Sequence, residues 1–316
     1  MTVAVVTNPK SRHNRRNPGL TTTLAYVLGE RGEVVTPSDV GALGSIAARF
    51  RERGVDTLCV NGGDGTLHQV LTAFVRTWGE DAPLPQVCVL RGGTMNIVAD
   101  SVGVKLGAEA MLGRLVEAIH TGVALPTTTR RLMRFDVDDL PPLYGFLAGN
   151  GIIARFLELY YDHPDPSPLS AASLLARGAA SALVQGPLIK QLMRPYTGQV
   201  SVDGVPLDGD TWTAVALGTV AEMGLGFRVF PGVEAAPDAL QVVAIGSSVA
   251  SLAAELPSVY RGRGVHRPGN RTVAGAAVAL DSPEPIPLMI DGDFCRSDQG
   301  RVRVRLGPPV TFVTPG

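Results

Sequence analysis

The stretch LCVNGGDGTLHQVL, residues 58–71, carries the pattern that decides the fold of the N-terminal half. Its first apolar residues, 58–60, suit a buried strand, and Leu67, Val70 and Leu71 recur at helical spacing after the glycines. Strands joined to helices by short glycine turns are typical of α/β domains. The stretch therefore predicts such a domain, with a functional turn at the end of a strand.

The turn itself has the composition of a phosphate site. Gly62, Gly63 and Gly65 carry no Cβ, so the backbone can fold tightly and turn its N–H groups toward phosphate oxygens. A carboxylate beside a polyanion is repelled unless a cation lies between them, so Asp64 is predicted to hold Mg²⁺ or to orient a metal-bound water. The alternative is an ordinary strand-to-helix turn in which Asp64 or Thr66 caps the helix.

Two further junctions repeat this construction. VCVLRGGTMNIVAD, residues 87–100, reads as a strand, a turn at Gly92 and Gly93, and the start of a helix. VAVVTNPKSR, residues 3–12, reads as a strand that ends in an Asn-Pro loop signal. Alternating strands and helices imply a parallel sheet, in which the carboxyl ends of the strands share one edge. All three loops are therefore expected to line one cleft.

Composition and charge narrow the class of protein. The chain has 316 residues, of which 45% are hydrophobic and 18% charged, enough for two globular domains with separate cores. The net charge of −1 gives no general electrostatic case for binding nucleic acid or an anionic membrane. The exception is a basic run after the first strand, which suits a polyphosphate ligand as well as it suits a solvated loop: Lys10, Arg12, His13, Arg15 and Arg16.

The pattern of elements changes near residue 125. Before it, helices are predicted at 20–31, 44–53 and 107–121, with a strand at 33–36. After it, short β-branched runs separated by Gly, Pro or Asp predict strands at 132–137, 198–202, 211–217, 240–245, 271–280 and 302–306. We predict a doubly wound α/β domain over residues 1–125 and an antiparallel β-rich, sandwich-like domain over residues 126–316.

One segment interrupts the β pattern. Residues 168–194 are rich in Ala and Leu but contain Arg177 and Gly186-Pro187, so they are predicted to form two short helices and not a membrane span. Their apolar stripe is expected to pack in the core, or else to touch a bilayer with Lys190 and Arg194 near the headgroups.

The cysteines and the N-terminus bear on the cellular compartment. Cys59, Cys88 and Cys295 are far apart and show neither a disulfide framework nor metal-ligand spacing. With a strand predicted from Val3 and no charged-then-apolar leader, the protein is expected to be cytoplasmic.

Four motifs in a fixed order carry a family resemblance. NPKSR, NGGDGTLHQV, GGTMN and IDGD, taken together, resemble the diacylglycerol kinase catalytic family, which includes bacterial lipid kinases and the sphingosine and ceramide kinases. The resemblance covers most of the chain. It implies ATP-dependent phosphorylation of a lipid hydroxyl, in a cleft between an α/β nucleotide-binding domain and a β-rich lipid-binding domain. A cytoplasmic enzyme in peripheral contact with the inner membrane face follows, and a homodimer is one option for its oligomeric state.

The resemblance also implies individual roles. The residues expected around ATP are Asn8, Pro9, Lys10, Ser11, Arg12, Thr36, Gly62, Gly63, Asp64, Gly65, Thr66, Leu67, His68, Gly93, Thr94 and Asn96. A structural Mg²⁺ site is expected at the side chain of Asp238 and the carbonyl of Leu240, in addition to Mg²⁺ at Asp64.

The acidic pair Asp291 and Asp293 is expected to contain the catalytic base. Their alternation would place both side chains on one side of an extended strand, so that one could orient or bind metal while the other accepts the proton. Without the resemblance, an Asp-Gly hairpin turn is the preferred interpretation of the same residues.

The chain departs from the family pattern at several positions. Ser11-Arg12 replaces the usual Ser-Gly, His68-Gln69 replaces Asn-Glu, Ile97 replaces an Asp, and Asp293 replaces a Glu that is longer by one methylene. A shift of about 1 Å in a positioned group can cost on the order of 10²-fold in rate. These departures keep open a nucleotide- or lipid-binding protein with impaired catalysis, and an enzyme similar to NAD kinases is a further alternative.

Overall fold

The computed structural model describes residues 2–163, 167–193 and 195–315, and Arg194 lies outside them. The chain divides into two compact units. The first contains Met1–Leu132 and Gly307–Gly316, and the second contains Met133–Leu306. This differs from a single break near residue 125, because the chain returns to the first unit at its C-terminus. The last strand extends far enough for Phe312 to pair with Val87.

The first unit alternates strands and helices as predicted. Its elements, in chain order, are β1 Val3–Thr7, α1 Arg12–Arg16, α2 Leu20–Leu28 with a 3-10 turn at Gly29–Arg31, β2 Gly32–Val35, α3 Ala42–Glu52, β3 Thr57–Asn61, α4 Asp64–Trp78, β4 Gln86–Val89, α5 Ile97–Ser101 and α6 Ala108–Thr121. One difference concerns the basic run, which was expected to lie in a loop: its residues from Arg12 onward form the short helix α1, and Lys10 lies in the turn before it.

The sheet of the first unit is parallel, in the order β2-β1-β3-β4. Val6 lies opposite Val35 on one side and Val60 on the other, and Val60 lies opposite Val89. Strands β1 and β3 are buried along their whole length, which explains their continuous apolar runs. The register places the carboxyl ends of all four strands at one edge, as the sequence predicted.

Helices cover this sheet in two packed pairs, α2 with α6 and α3 with α4. Between α3 and α4, the rings of Phe50 and Phe74 meet edge to face at 6.1 Å, and Trp78 Nε1 donates to the carbonyl of Ala47. Both phenylalanines are fully buried. The predicted apolar faces of these helices therefore form the core that supports the glycine turns.

The β-rich character of the second half is confirmed, with more helix than predicted. Its elements are β5 Thr127–Val137, β6 Leu143–Gly145, β7 Leu147–Gly149, α7 Ile152–Tyr161, α8 Pro168–Leu183, α9 Pro187–Leu192, β8 Tyr196–Thr197, β9 Gln199–Val202, β10 Val205–Pro206, β11 Thr211–Trp212, β12 Ala214–Gly218, β13 Leu240–Ile245, α10 Val249–Tyr260, β14 Asn270–Gly275, β15 Ala277–Asp281, β16 Ile286–Ile290, β17 Asp293–Ser297 and β18 Arg301–Val313. Helices α7 and α10 were not predicted. For α10 the reason is Pro257, because a proline usually ends a helix.

Two antiparallel layers form the sandwich of the second unit. One is the six-stranded sheet β14-β13-β12-β7-β16-β17, and the other contains β10-β9-β15-β18. Residues of both layers share one buried core, for example Val200 and Val278 from one sheet with Val242 and Leu288 from the other. The sandwich-like fold is thus as predicted.

The segment predicted to form two short helices holds α8 and α9. Ala182, Ile189 and Leu192 pack with Val249 of α10 in a small apolar cluster of their own, which is the core packing that the stripe predicted. Two apolar side chains of the segment point outward, since Leu169 is 80% and Val184 is 77% exposed. In the described part of the chain, no helix combines the length and apolar character that a membrane crossing needs.

All three cysteines are free thiols. Cys59 and Cys88 lie opposite each other on neighbouring strands and are buried. A hydrogen bond with the Cys88 side chain, together with burial, raises the pKa of the Cys59 thiol.

Candidate active site

The two glycine turns of the first unit touch each other through their backbones. A Cβ built on Gly93 would lie 2.3 Å from the Cα of Gly63, and one built on Gly63 would lie 3.0 Å from the Cα of Gly93. No other residue type fits at such a distance. The glycines are therefore required for the approach of the two turns, in addition to any ligand.

The first loop is tied to the main turn by side-chain hydrogen bonds. The Nδ2 of Asn8 donates to the hydroxyl of Thr66 at 2.9 Å, and the backbone N–H of Asn8 donates to the carbonyl of Asn61 at 2.9 Å. Gly62 lies so close to Thr66 that a Cβ there would be 2.4 Å from the Thr66 Cβ. The ends of β1 and β3 are thus held together with the start of α4.

Asn14 connects the loops that follow β1 and β3, although sequence reasoning did not single it out. Its Nδ2 donates to the carbonyl of Asn8 at 2.8 Å and to that of Asn61 at 3.2 Å, and it is only 4% exposed. The neighbouring His13 N–H donates to the carbonyl of Gly92 at 3.1 Å. The one signal in the sequence was an amide residue within a run of cations.

Two buried amide oxygens at this junction accept no hydrogen bond, the Oδ1 atoms of Asn14 and Asn61. A Cβ built on Gly92 would lie 2.8 Å from the Oδ1 of Asn61 and 2.9 Å from the N of Gly62. Buried polar atoms usually have a partner, so these oxygens suit an ordered water or another donor. The junction is therefore polar beneath the turns as well as at their surface.

Asp64 joins the two turns electrostatically. It is the first residue of α4, and its Oδ1 accepts the N–H of Val98, at the start of α5, at 3.0 Å. Burial raises the pKa of this carboxyl group, and the backbone N–H groups of Val98 and Ile97 act in the opposite direction. One carboxylate oxygen thus has a structural partner, whatever else the group binds.

Asn96 closes the second turn. It adopts a left-handed backbone, with φ of 51°, and its side chain exchanges hydrogen bonds with the N–H and the carbonyl of Gly93. Arg91, also missed, has a left-handed backbone and donates to the carboxylate of Asp100 and to the carbonyl of Val104. Asn96 therefore shapes the turn that was expected to contact a nucleotide.

The other residues expected around ATP differ in exposure. Thr36 follows β2 and is exposed, as are Pro9 and Lys10, while Thr94 is half-buried. Ser11 donates its hydroxyl to the carbonyl of Asn8. The side chains of Leu67 and His68, in the first turns of α4, are buried, with 2% and 1% exposure, and the ligand contact expected of both residues stays a prediction.

The acidic pair of the second unit forms a hairpin, and the expected single extended strand is wrong. Ile290 at the end of β16 pairs with Asp293 at the start of β17, so Asp291 and Gly292 are the two turn residues. Both have positive φ, 45° and 94°, as a type I′ hairpin requires. The preference of Asp-Gly for a hairpin turn therefore determines the structure here, and the two residues do not continue a strand.

The two carboxylates have different surroundings. Asp291 is 3% exposed, and its carboxylate accepts the N–H of Phe146 at 2.9 Å and that of Leu147 at 2.8 Å. A Cβ on Gly145 would lie 2.6 Å from its Oδ2. Asp293 is half-buried. The hairpin therefore holds one carboxylate firmly in place and leaves the other partly open to solvent.

The second expected metal site stays a prediction. Asp238 is exposed in the turn before β13, and Leu240 is the first residue of that strand, opposite Gly275. Over the described ranges, His, Cys, Asp and Glu side chains nowhere gather in threes into a metal-binding group.

Comparison with known proteins gives a consistent assignment. Residues 2–126 match the Diacylglycerol kinase catalytic domain, and residues 185–309 match the YegS C-terminal NAD kinase beta sandwich-like domain. Proteins named "Probable lipid kinase YegS" from Shigella flexneri and from Escherichia coli O6:K15:H31 (strain 536 / UPEC) are each 44% identical over 62 residues. That stretch is 18% of this chain and 20% of each of those proteins, so only about a fifth of the relatives' length is matched.

The fold has a close counterpart among solved structures. That of a diacylglycerol kinase from Bacillus anthracis str. Sterne aligns with a TM-score of 0.64 at 14% identity, over 99% of this chain and 96% of that one. The catalytic-domain match contains both glycine turns, and the second match contains the hairpin of the acidic pair. The chain therefore carries a diacylglycerol kinase catalytic domain at residues 2–126 and a YegS-type C-terminal domain at residues 185–309.

Proposed function

We propose that the chain is an ATP-dependent lipid kinase, which transfers the γ-phosphate of ATP to the hydroxyl of a diacylglycerol-like or sphingoid-like lipid. The observation that carries the proposal is the junction of the two glycine turns, where Gly63 and Gly93 pack backbone to backbone at the carboxyl edge of a parallel sheet. In open α/β sheets, ligands bind at this edge. The match of residues 2–126 to the Diacylglycerol kinase catalytic domain supports the kinase chemistry.

The residues present fit a polyphosphate. Gly63 and Gly93 are half-buried where the two turns meet, and Lys10 and Arg12 belong to the N-terminal loop, whose Asn8 is hydrogen-bonded to Thr66 of the main turn. Backbone N–H groups and cations together favour a polyanion. Lys10, Ser11, Arg12 and the turn at residues 62–66 would hold ATP.

A single carboxylate also fits Mg²⁺. This ion is commonly bound through one or two carboxylates together with substrate phosphates and water, so Asp64 can serve without a dedicated protein cage. When bound, Mg²⁺ would neutralise charge that develops on the transferred phosphoryl group. Asp64 would position the ion while the N–H of Val98 fixes the orientation of its carboxylate.

The proton of the acceptor hydroxyl would go to the acidic pair of the second unit. Asp291 is held by two backbone amides, which suits a group that must be positioned within tenths of an ångström. Asp293 is more accessible, which suits proton exchange with solvent. Because ATP and lipid acceptors meet at the inner membrane face, we place the enzyme in the cytoplasm, in peripheral contact with that face.

The test is transfer of label from γ-labelled ATP, with the purified full chain, Mg²⁺ and a panel of dispersed lipids, with NAD as a further acceptor. We expect label in at least one lipid and none in NAD. Label in NAD alone would favour the NAD kinase-like alternative, which the description of the matched C-terminal domain brings into consideration. Binding of ATP with no labelled acceptor would favour the catalytically impaired binding protein.

A further inference from the structure

An apolar pocket with a basic rim lies at the C-terminal end of α10, in the second unit and apart from the acidic hairpin in sequence. It is a depression open to solvent, with a volume of about 390 Å³, and is lined by Phe227, Leu256, Pro257, Tyr260 and Arg261. The lining is apolar except for the guanidinium of Arg261 and the hydroxyl of Tyr260. We call these five residues, with Arg263, the aromatic–arginine patch.

Two segments that are distant in sequence build the patch. The rings of Phe227 and Tyr260 meet edge to face at 5.5 Å. Gly226, with φ of 76°, lets the loop pass the tyrosine, because a Cβ there would lie 3.2 Å from the Tyr260 ring. Backbone hydrogen bonds between Met223 and Phe227 and between Phe227 and Gly224 close the loop. The aromatic pair is thus held in place, although Tyr260 is 57% exposed.

The charged residues of the stretch that follows Glu255 are all basic. Residues 256–267 contain Arg261, Arg263 and Arg267 and no acidic residue, in a chain whose net charge is −1. All three arginines are exposed. Apolar lining, an exposed tyrosine and several guanidinium groups therefore occupy one short stretch of surface.

Two carboxylates close to this stretch are engaged in other contacts. Glu255 is 6% exposed and accepts the backbone N–H of His266 and of Arg267, so its carboxylate is committed to fixing the basic loop. Glu234 pairs with Arg228 at 3.4 Å. Within residues 255–267, Arg261, Arg263 and Arg267 are therefore exposed, and Glu255 is buried.

We propose that the aromatic–arginine patch docks the protein on the surface of a bilayer that contains anionic phospholipid. Aromatic residues favour the level of the headgroups, where one side of the ring is apolar and the other wet, and arginines there pair with lipid phosphates. Double-stranded nucleic acid would use the guanidinium groups while its bases stay stacked inside the duplex, whereas a phospholipid offers a phosphate to the guanidinium groups and an acyl chain to the apolar lining. The purpose of this docking rests on the proposed function, because a lipid kinase must reach an acceptor that resides in a bilayer.

The experiment is co-sedimentation of the full chain with vesicles of phosphatidylcholine, with and without phosphatidylglycerol. We expect binding to the mixed vesicles that weakens as salt is raised, and much weaker binding to phosphatidylcholine alone. The double variant Arg261→Gln with Arg263→Gln should bind the mixed vesicles on the order of 10-fold more weakly. The matched controls are Arg114→Gln and Tyr26→Ser, which alter an exposed arginine and a tyrosine that is 87% exposed, both in the first unit.

A second variant tests the aromatic part independently of charge. Tyr260→Ser should also weaken vesicle binding while its melting temperature shows that it is folded. Equal binding by wild type and the double arginine variant would overturn the proposal, and so would an equal loss in the controls. Displacement from vesicles by millimolar inorganic phosphate would also overturn it, because the patch would then be a simple anion site.

Failure of this inference can be told from failure of the proposed kinase activity, since vesicle binding needs no turnover. If detergent-dispersed lipid is phosphorylated but the patch variants bind vesicles normally, the docking surface is wrong and the kinase stands. If patch-dependent binding is seen and no lipid is phosphorylated, the docking surface stands and the kinase is wrong.

Discussion

At the scale of single residues, Asp64 combines a proposed functional role with a structural one. Its carboxylate lies where the two glycine turns meet, and the N–H of Val98 orients it. Asn at this position could still accept that hydrogen bond through its Oδ1. A substitution of Asp64 by Asn therefore removes the negative charge and leaves the structural hydrogen bond in place.

We expect Asp64→Asn to remain folded and to lower lipid phosphorylation by a factor on the order of 10² or more, because the neutral amide cannot hold Mg²⁺ against the phosphates. Turnover with saturating ATP and the melting temperature are the measurements. Near wild-type turnover on an accepted lipid would show that the carboxylate is not needed for catalysis.

The same carboxylate predicts a pH effect on stability. Burial raises its pKa in the folded state above the unfolded value of about 3.9. Between these two values the folded state keeps the proton and the unfolded state releases it, so the free energy of unfolding falls as pH rises through this window. Asp64→Asn has no carboxyl group at this position, so its free energy of unfolding lacks this dependence on pH. The melting temperature of the variant, relative to that of wild type, should therefore increase from about pH 4 upward. A difference in melting temperature that does not change with pH would contradict the burial argument.

The two members of the acidic pair should respond differently to removal of charge. Asp291→Asn gives up charge-assisted hydrogen bonds from Phe146 and Leu147, so we expect a loss of about 1–3 kcal/mol in the free energy of unfolding together with severe loss of turnover. Asn is well tolerated in the left-handed backbone conformation found at this position, so the substitution should not destabilise the turn itself.

Asp293→Asn should lose activity with a change in stability of at most about 0.5 kcal/mol, since this side chain is partly exposed. Asp293→Glu, which restores the methylene usual in the family, should keep or raise activity. Denaturant unfolding and turnover are measured side by side for the three variants. Full activity in both Asn variants would remove the pair from catalysis.

At the scale of elements, the contact between the glycine turns decides whether α4 and α5 begin side by side. A methyl group on Gly93 meets the backbone of Gly63 at 2.3 Å and the Oδ1 of Asn96 at 3.0 Å, and neither can move without opening a turn. The geometry of the site is therefore as sensitive to one methyl group as to a charge.

We expect Gly93→Ala to cost about 1–3 kcal/mol of stability and to abolish stabilisation of the protein by added ATP and Mg²⁺. The control is Gly113→Ala in the middle of α6, where a Cβ would meet nothing within 4 Å and should add about 0.5–1 kcal/mol. Thermal shift with and without nucleotide measures both. A Gly93→Ala protein that is stabilised by nucleotide like wild type would contradict the contact.

At the scale of the whole molecule, the first unit is completed by the end of the chain. Phe312 is fully buried and lies opposite Val87 of β4, although more than half of the sequence separates them. A fragment ending near residue 125 would contain both glycine turns and lack this part of its core.

We expect Phe312→Ala to lower the free energy of unfolding by about 3–5 kcal/mol, as for other buried aromatic truncations. Phe294→Ala is the control, because that ring is 46% exposed, and it should cost about 1 kcal/mol or less. Denaturant unfolding of both variants is the measurement. Similar losses in the two would show that Phe312 contributes no more than a surface ring.

The sequence by itself determined the parallel α/β sheet, the glycine turns at its carboxyl edge and the β-rich second half. These features depend on periodicity and turn chemistry within about a dozen residues, so they can be seen in a single stretch such as residues 58–71. The Asp291-Gly292 turn was also encoded locally, and the choice between strand and hairpin was settled by the pairing of Ile290 with Asp293.

The tertiary structure alone decided which distant residues meet. Three such contacts are the hydrogen bonds of Asn14, the pairing of Phe312 with the first unit, and the ring contact of Phe227 with Tyr260. In each, the sequence of one segment gives no sign of the other. Such contacts follow from which apolar surfaces are buried together and which buried polar groups must find partners. Both conditions are satisfied by the chain as a whole and by no single stretch of it.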